Sequence, residues 1–270
     1  MRKGRAARRK GLGRKPGVSL LIFTVTMVFF YAPLAVLVLF SFNQSKTMNW
    51  TGFSLRWYGD LFLHSRDLWH AFANSTIIAL TSATMSTVLG TLAAIGMYWY
   101  NFRFKKYVQI SSFLPLIIPE IIIGVSLCIL FGVSGMRLGL FTIFIAHTTF
   151  CLPYALLIVN SRLDEFDYSI IEAAYDLGAR EIDALLRVIV PVSMPGIIAA
   201  FLVSITLSLE DFVITFFVAG PGSSTLPLHV YSMIRFGVSP VINALSVVLI
   251  GGSVLLAFST KGLYKYILQK

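Results

Sequence analysis

Six stretches of about twenty or more apolar residues, each long enough to cross a hydrocarbon core roughly 30 Å thick, constrain this chain more than any other feature. They run Val18–Phe42, Phe72–Tyr98, Tyr107–Phe131, Leu138–Asn160, Pro195–Ala219 and Val241–Thr260. A water-soluble core has no use for them. Of 270 residues 57% are apolar and 13% charged, about half the charged share of an ordinary globular domain. Lipid offers no partner to backbone N–H and C=O groups, so such stretches are read as helices. The expected fold is therefore all-α, a membrane protein with six transmembrane helices. Residues 1–17 form a basic N-terminus, 18–42 the first helix, 43–71 an external loop, 72–260 a five-helix core with a cytoplasmic segment at 161–194, and 261–270 the C-terminus.

The net charge of +10 invites a nucleic-acid reading, but the basic residues follow the spans. Arg2, Lys3, Arg5, Arg8, Arg9, Lys10, Arg14 and Lys15 precede the first. Arg103, Lys105, Lys106, Arg162, Arg180, Arg187, Lys261, Lys265 and Lys270 fall on the same side by alternation. Only Lys46, Arg56, Arg66, Arg137 and Arg235 fall opposite. This is the positive-inside pattern; it predicts both termini in the cytoplasm and no nucleic-acid partner. Val18–Phe42 is too long for the apolar part of a signal peptide and is read as a retained span. Cys128 and Cys151 lie on different spans and read as buried free thiols.

Between the spans, Ser41–Ala71 carries Trp50, Trp57, Tyr58 and Trp69. Two readings stand for these rings: anchors at the membrane interface, or a surface that meets a binding protein or stacks on a passing cation. Ala219–Pro240, rich in Gly, Pro and Ser, reads as a re-entrant or cap segment. Ser161–Met194 is amphipathic. Ser169-Ile170-Ile171-Glu172 has the form of a capping box, and Ile170, Ala174 and Leu177 recur at helical spacing. Gly178 supplies a stop. A second short helix follows with Ile182, Leu185, Leu186 and Ile189 on one stripe, ended by Pro191 and Pro195. Periodicity leaves open whether this helix–Gly–helix hairpin docks on its own bundle or in a partner's groove.

Catalytic and metal signatures are missing from the sequence. It has no G-x-x-x-x-G-K-[ST] phosphate loop, no H-E-x-x-H or Cys/His cluster, and no G-x-S-x-G elbow. His64, His70, His147 and His229 are scattered. The expectation is no catalysis, metal or cofactor in this chain. Three acids inside spans need a reason instead. Glu120 follows Pro119 in the third span, and Glu210 and Asp211 are adjacent in the fifth. Each ionised carboxylate at that depth costs about 2.5–3.5 kcal/mol, and the spans hold no Lys or Arg to offset it. Glu120 lies 13 residues into its span and Glu210 15 into its own, at nearly one depth. Such a patch attracts cations and repels sulfate or phosphate. The alternatives are a protonated Glu120 bonded to a neighbouring helix and a Glu210 paired with a basic residue of another chain. Trp57 and Tyr58 are expected to offer π faces to an ammonium group at the mouth.

Glu172-Ala173-Ala174, Gly178 and Val188-Ile189-Val190-Pro191 resemble the EAA loop of ABC importer permeases, with Val188 and Val190 as conservative departures. Further along, Phe150-Cys151-Leu152-Pro153-Tyr154, Ser161-Arg162-Leu163, Pro227-Leu228 with Tyr231-Ser232-Met233, Gly237-Val238-Ser239-Pro240 with Asn243-Ala244-Leu245, and Asn49-Trp50-Thr51-Gly52-Phe53 with Trp57-Tyr58 resemble the spermidine/putrescine permease subfamily. The resemblance covers nearly all of the chain after a basic N-terminus that is longer than it implies. It implies a type I importer core made by the last five of six spans. It also implies a bacterial inner-membrane location, a second permease subunit, an extracytoplasmic polyamine-binding protein and two ATPases that bind ATP and Mg. Glu172, Ala173, Ala174, Gly178 and Pro191 are then the ATPase-coupling residues, and Glu120, Glu210, Asp211, Trp57 and Tyr58 line the substrate path. The competing expectation is a secondary transporter or cation channel subunit whose carboxylates relay protons or select ions; the internal repeats common in such transporters are not apparent.

Overall fold

A computed structural model describes residues 16–46, 49–165, 167, 169–235 and 239–267, with side chains to Leu255. The basic N-terminal stretch, Gly237-Val238 of the family pattern and Lys270 lie outside the described residues, as do the side chains of Lys261 and Lys265. The chain divides into two compact units, one within Met1–His64 and Val238–Lys270 and the other within Ser65–Gly237.

In the first unit α1 (Pro16–Ser41) lies beside the last helix of the chain, Pro240–Ile267. α1 is apolar all round and its side chains stay exposed along most of its length, as a lipid-facing helix requires. After it the chain folds over Asn43. The Asn43 side chain donates to the Asn49 carbonyl at 2.9 Å and accepts from the Thr51 N–H at 3.0 Å. The Asn43 carbonyl takes the indole N–H of Trp57 at 2.6 Å. α2 (Arg56–Gly59) and a π-helical turn, Asp60–His64, complete this knot.

The second unit is built on three long helices in mutual contact: α3 (Arg66–Trp99), α6 (Leu140–Asp164) and α9 (Val190–Glu210). Lipid supplies no hydrophobic drive between helices, so association needs close backbone approach and small residues at the contact. Ala94, Ala155 and Ala200 sit fully buried there, filled in by Leu156, Val159, Ile171 and Ile189. A second cluster, Ile78, Phe131, Ile143, Phe150, Ile214 and Val218, joins α6 to α5 (Glu120–Val133) and α10 (Val213–Val218).

The structure corrects four sequence expectations. First, the third span is not one helix. α4 (Lys105–Phe113) with a 3₁₀ turn, Leu114–Leu116, meets α5 at 105°. Pro115 and Pro119 remove two backbone donors within five residues, and Pro119 itself is extended (φ −56°, ψ 134°), which separates the two segments. Second, the fifth span also breaks: α9 stops at Glu210, Asp211 is extended (φ −64°, ψ 120°), and α10 restarts at Val213. Third, Pro191 and Pro195 do not end the hairpin's second helix. α8 (Glu181–Ala184) passes through a π-helical turn, Leu185–Ile189, directly into α9. Pro191 comes directly after that π-helical turn, the kind of local adjustment by which a helix accommodates a proline without stopping. Fourth, the capping box is not used. Ser169 is the first residue of α7 (Ser169–Asp176), and its N–H donates to the Asp167 carboxylate at 3.0 Å.

Four helices among the described residues, α1, α3, α6 and α8–α9 together, are long and apolar enough to cross a membrane, and the bent α4–α5 pair makes up to five. The last helix adds a shorter apolar stretch, Pro240–Leu255. The six expected spans are compatible with this, and the class, an all-helical membrane protein, holds. Ala219–Pro240 forms a short helix, α11 (Leu226–Arg235), too short to span. It is tied to α3 by Asn74 donating to the Ser224 carbonyl and by the Leu226 N–H donating to Ser75. The last helix, Pro240–Ile267, is α12.

Candidate translocation site

The two breaks meet. Glu120 opens α5 just after Pro119, Glu210 closes α9, and Asp211 joins α9 to α10; all three border one cavity of about 300 Å³ with Phe150, Leu207, Phe212 and Val213. Equal depth along two straight helices was the sequence argument for their proximity. Broken helices supply the actual geometry: helix ends face the cavity, and irregular backbone is tolerated at membrane depth where it lines one.

Within this site the three acids differ. Glu120 and Glu210 are exposed in the isolated chain, and neither has a hydrogen bond or salt bridge among the described residues. Among the described residues no Lys or Arg lines the cavity. Asp211 corrects the reading of an unpartnered patch. Its side chain is 2% exposed and lies 3.1 Å from Nε2 of His147, itself 1% exposed. It also accepts from the Ile214 N–H at 3.1 Å, the Thr215 N–H at 2.9 Å and the Thr215 hydroxyl at 2.8 Å. Thus the carboxylate caps α10, satisfying backbone donors that the break would otherwise orphan. The spans hold no Lys or Arg, and the basic partner of Asp211 is instead His147, 64 residues upstream on α6. Its one legible signal was a histidine placed within an apolar span.

Trp57 and Tyr58 belong to the first unit and the three acids to the second. The expected open π face of Trp57 is absent. The ring is 3% exposed, its N–H is committed to Asn43, and the guanidinium of Arg56 lies 5.5 Å from its centroid. Tyr58 pairs its hydroxyl with Ser41 at 2.9 Å and packs on Phe42.

The hairpin turns its apolar side outward. Ile171 is buried against α3, α6 and α9, but Ile170 is 47% exposed and Leu177 89%. Glu172, Ala173 and Pro191 are exposed and Ala174 is half-buried. Gly178 has φ +83° and closes α7 in a Schellman arrangement: its N–H donates to the Tyr175 carbonyl at 2.8 Å, and that of Ala179 to the Ala174 carbonyl at 3.0 Å. The hairpin is tied to α3 by the Tyr100 hydroxyl, which donates to Glu181 at 2.6 Å; that bond raises the Tyr100 pKa.

Residues 86–270 match the family model described as the binding-protein-dependent transport system inner membrane component. The chain belongs to that family. It is 39% identical over 239 residues to the spermidine/putrescine transport system permease protein PotC of Escherichia coli (strain K12), covering 88% of this chain and 90% of PotC. It is 40% identical over 247 residues to the putrescine transport system permease protein PotI of the same organism, covering 88% of each. Among solved structures, a bacterial alginate ABC transporter in complex with an alginate pentasaccharide-bound periplasmic protein gives a TM-score of 0.70 at 16% identity, covering 89% of this chain and 91% of that one. The MetNI methionine ABC transporter in inward-facing form gives 0.60 at 20% identity over 74% and 94%. These structures share the fold. The permease reading holds over that of a secondary transporter or channel, and the chain is a multi-pass component of an inner membrane.

Proposed function

We propose that this chain is one permease subunit of an ATP-driven importer for polyamines, spermidine or putrescine. The observation that carries the reading is identity of 39–40% to PotC and PotI along 88% of the chain. The cavity supports it, because Glu120 and Glu210 leave two carboxylates unpartnered beside Phe150 and Phe212. An aliphatic chain with ammonium ends suits carboxylates and rings together. An extracytoplasmic binding protein delivers the substrate, and a second permease completes the path. Two partner ATPases bind ATP and Mg, this chain holding no cofactor, and both termini face them in the cytoplasm. The outward Ile170 and Leu177, with Glu172, Ala173, Ala174, Gly178 and Pro191, form the surface that seats in the ATPase; a leucine 89% exposed at the end of a cytoplasmic helix supports a partner there rather than packing on its own bundle.

The test is uptake of radiolabelled putrescine and spermidine by cells carrying the whole transporter, with Glu120→Gln and Glu210→Gln combined. Uptake falls at least about a hundredfold if each carboxylate contributes a charge-assisted contact of 1.5–3 kcal/mol. Undiminished uptake by a correctly assembled double variant removes the assignment of the cation path.

A further inference from the structure

Asp211 borders the same cavity as Glu120 and Glu210, yet its carboxylate is turned into protein. The Ile214 N–H reaches Oδ1, while the Thr215 N–H, the Thr215 hydroxyl and the His147 imidazole converge on Oδ2. The imidazole is itself fixed: Nδ1 of His147 lies 2.7 Å from the Ser208 hydroxyl on α9, and Ser208 lies 3.2 Å from the Ser82 hydroxyl on α3. A neutral ring with its proton on Nε2 serves the whole arrangement, Ser208 donating to Nδ1 and Nε2–H shared between the Thr215 hydroxyl oxygen at 2.9 Å and Asp211 at 3.1 Å. In this way α3, α6 and α9 together hold the first turn of α10.

α10 in turn carries α5. At Gly124 of α5 a Cβ would stand 2.9 Å from Cδ2 of Phe217 and 3.3 Å from Cα of Ile214, so the two helices touch nearly backbone to backbone. Gly124 lies one turn beyond Glu120 on α5. The position of the Glu120 carboxylate therefore follows the position of α10.

We propose that Asp211, braced by His147, is a positioning residue that touches no substrate: it fixes α10 and, through the Gly124 contact, sets where Glu120 stands in the cavity. The inference rests on the reading that Glu120 and Glu210 face the cation.

The complete complex, with both permeases, the ATPases and the binding protein, is reconstituted in proteoliposomes, and the initial uptake rate of a radiolabelled diamine is read at saturating binding protein. Asp211→Asn, which keeps shape and loses charge, lowers the rate about tenfold, the effect of losing one charge-assisted hydrogen bond. In a Glu120→Gln background the same change lowers it less than about twofold further, because it acts only through the group already removed; in a Glu210→Gln background the losses multiply. His147→Gln, which can donate to Asp211 and accept from Ser208, keeps a rate within about threefold, and His147→Leu falls with Asp211→Asn. Losses that multiply between Asp211→Asn and Glu120→Gln overturn the proposal, as a direct substrate contact or general misfolding would produce that result. Equal losses in His147→Gln and His147→Leu overturn it too, by showing that ring volume and not hydrogen bonding matters. If Glu120→Gln and Glu210→Gln each leave the rate unchanged, the substrate reading itself fails and the positioning role falls with it.

Discussion

The helix is interrupted at Gly178 and again at Asp211, by opposite means. At Gly178 the device is a backbone angle: φ is +83°, a Cβ there would meet nothing within 4 Å, and the freed carbonyls of α7 are taken by the next two N–H groups. At Asp211 the backbone angles are ordinary for any residue, and the device is a side chain that takes the donors of the new helix while leaning on a histidine from another. An interruption at the water-exposed face needs only the right residue. One buried at membrane depth must bring its own hydrogen-bond partners, because nothing else there can supply them.

That contrast can be broken experimentally, beginning where the effect is largest. Asp211→Leu leaves two backbone donors and the imidazole of His147 without their buried acceptor, and each buried donor left unsatisfied costs about 1–3 kcal/mol. The thermal midpoint of the purified complex falls clearly; an unchanged midpoint means that α10 does not need its cap. Gly178→Val costs about 1–2 kcal/mol, the strain of a side chain in the left-handed region, with no clash to add. It leaves that midpoint nearly in place while uncoupling ATP hydrolysis from uptake. Loss of assembled complex in this variant would instead make the hairpin part of the core.

Asp167 gives the smallest effect. Its exposed carboxylate accepts the Ser169 N–H at the start of α7, and this bond holds its pKa below the usual carboxylate range. A depressed pKa means that its contribution is fully present above the ordinary carboxylate value and is lost as pH falls through the lowered one. Asp167→Ala therefore weakens the start of α7 near neutral pH, and the difference from the unchanged protein vanishes in acid. Protease accessibility of the hairpin against pH reads this; a difference that grows on acidification reverses the sign and discards the cap.

Much of this was legible because hydropathy and charge are sums over many residues. The apolar spans, the amphipathic hairpin and the stop at Gly178 all follow from composition, from periodicity or from a property of one residue type. The breaks were not legible for the same reason. A window of twenty apolar residues averages across Pro119 and Asp211, and both chain segments remain apolar on either side. Asp211 in particular reads in sequence as a charge awaiting a ligand. Only tertiary structure, which brings His147 from α6 and folds Thr215 back one turn, shows a carboxylate already satisfied. Trp57 failed similarly: an aromatic ring in a polar loop looks available until Asn43 is seen holding its N–H. Pro191 misleads in the same way, since a proline that a π-helical turn accommodates and a proline that stops a helix are the same letter.

The π-helical turn at Leu185–Ile189 has a mechanical meaning. Because the helix runs on through it, Glu181–Glu210 forms one shaft of 30 residues, about 45 Å long at 1.5 Å per residue. One end is the crank that Tyr100 grips through Glu181, and the other bears Glu210. A twist applied at the crank arrives at that carboxylate without passing through a loop.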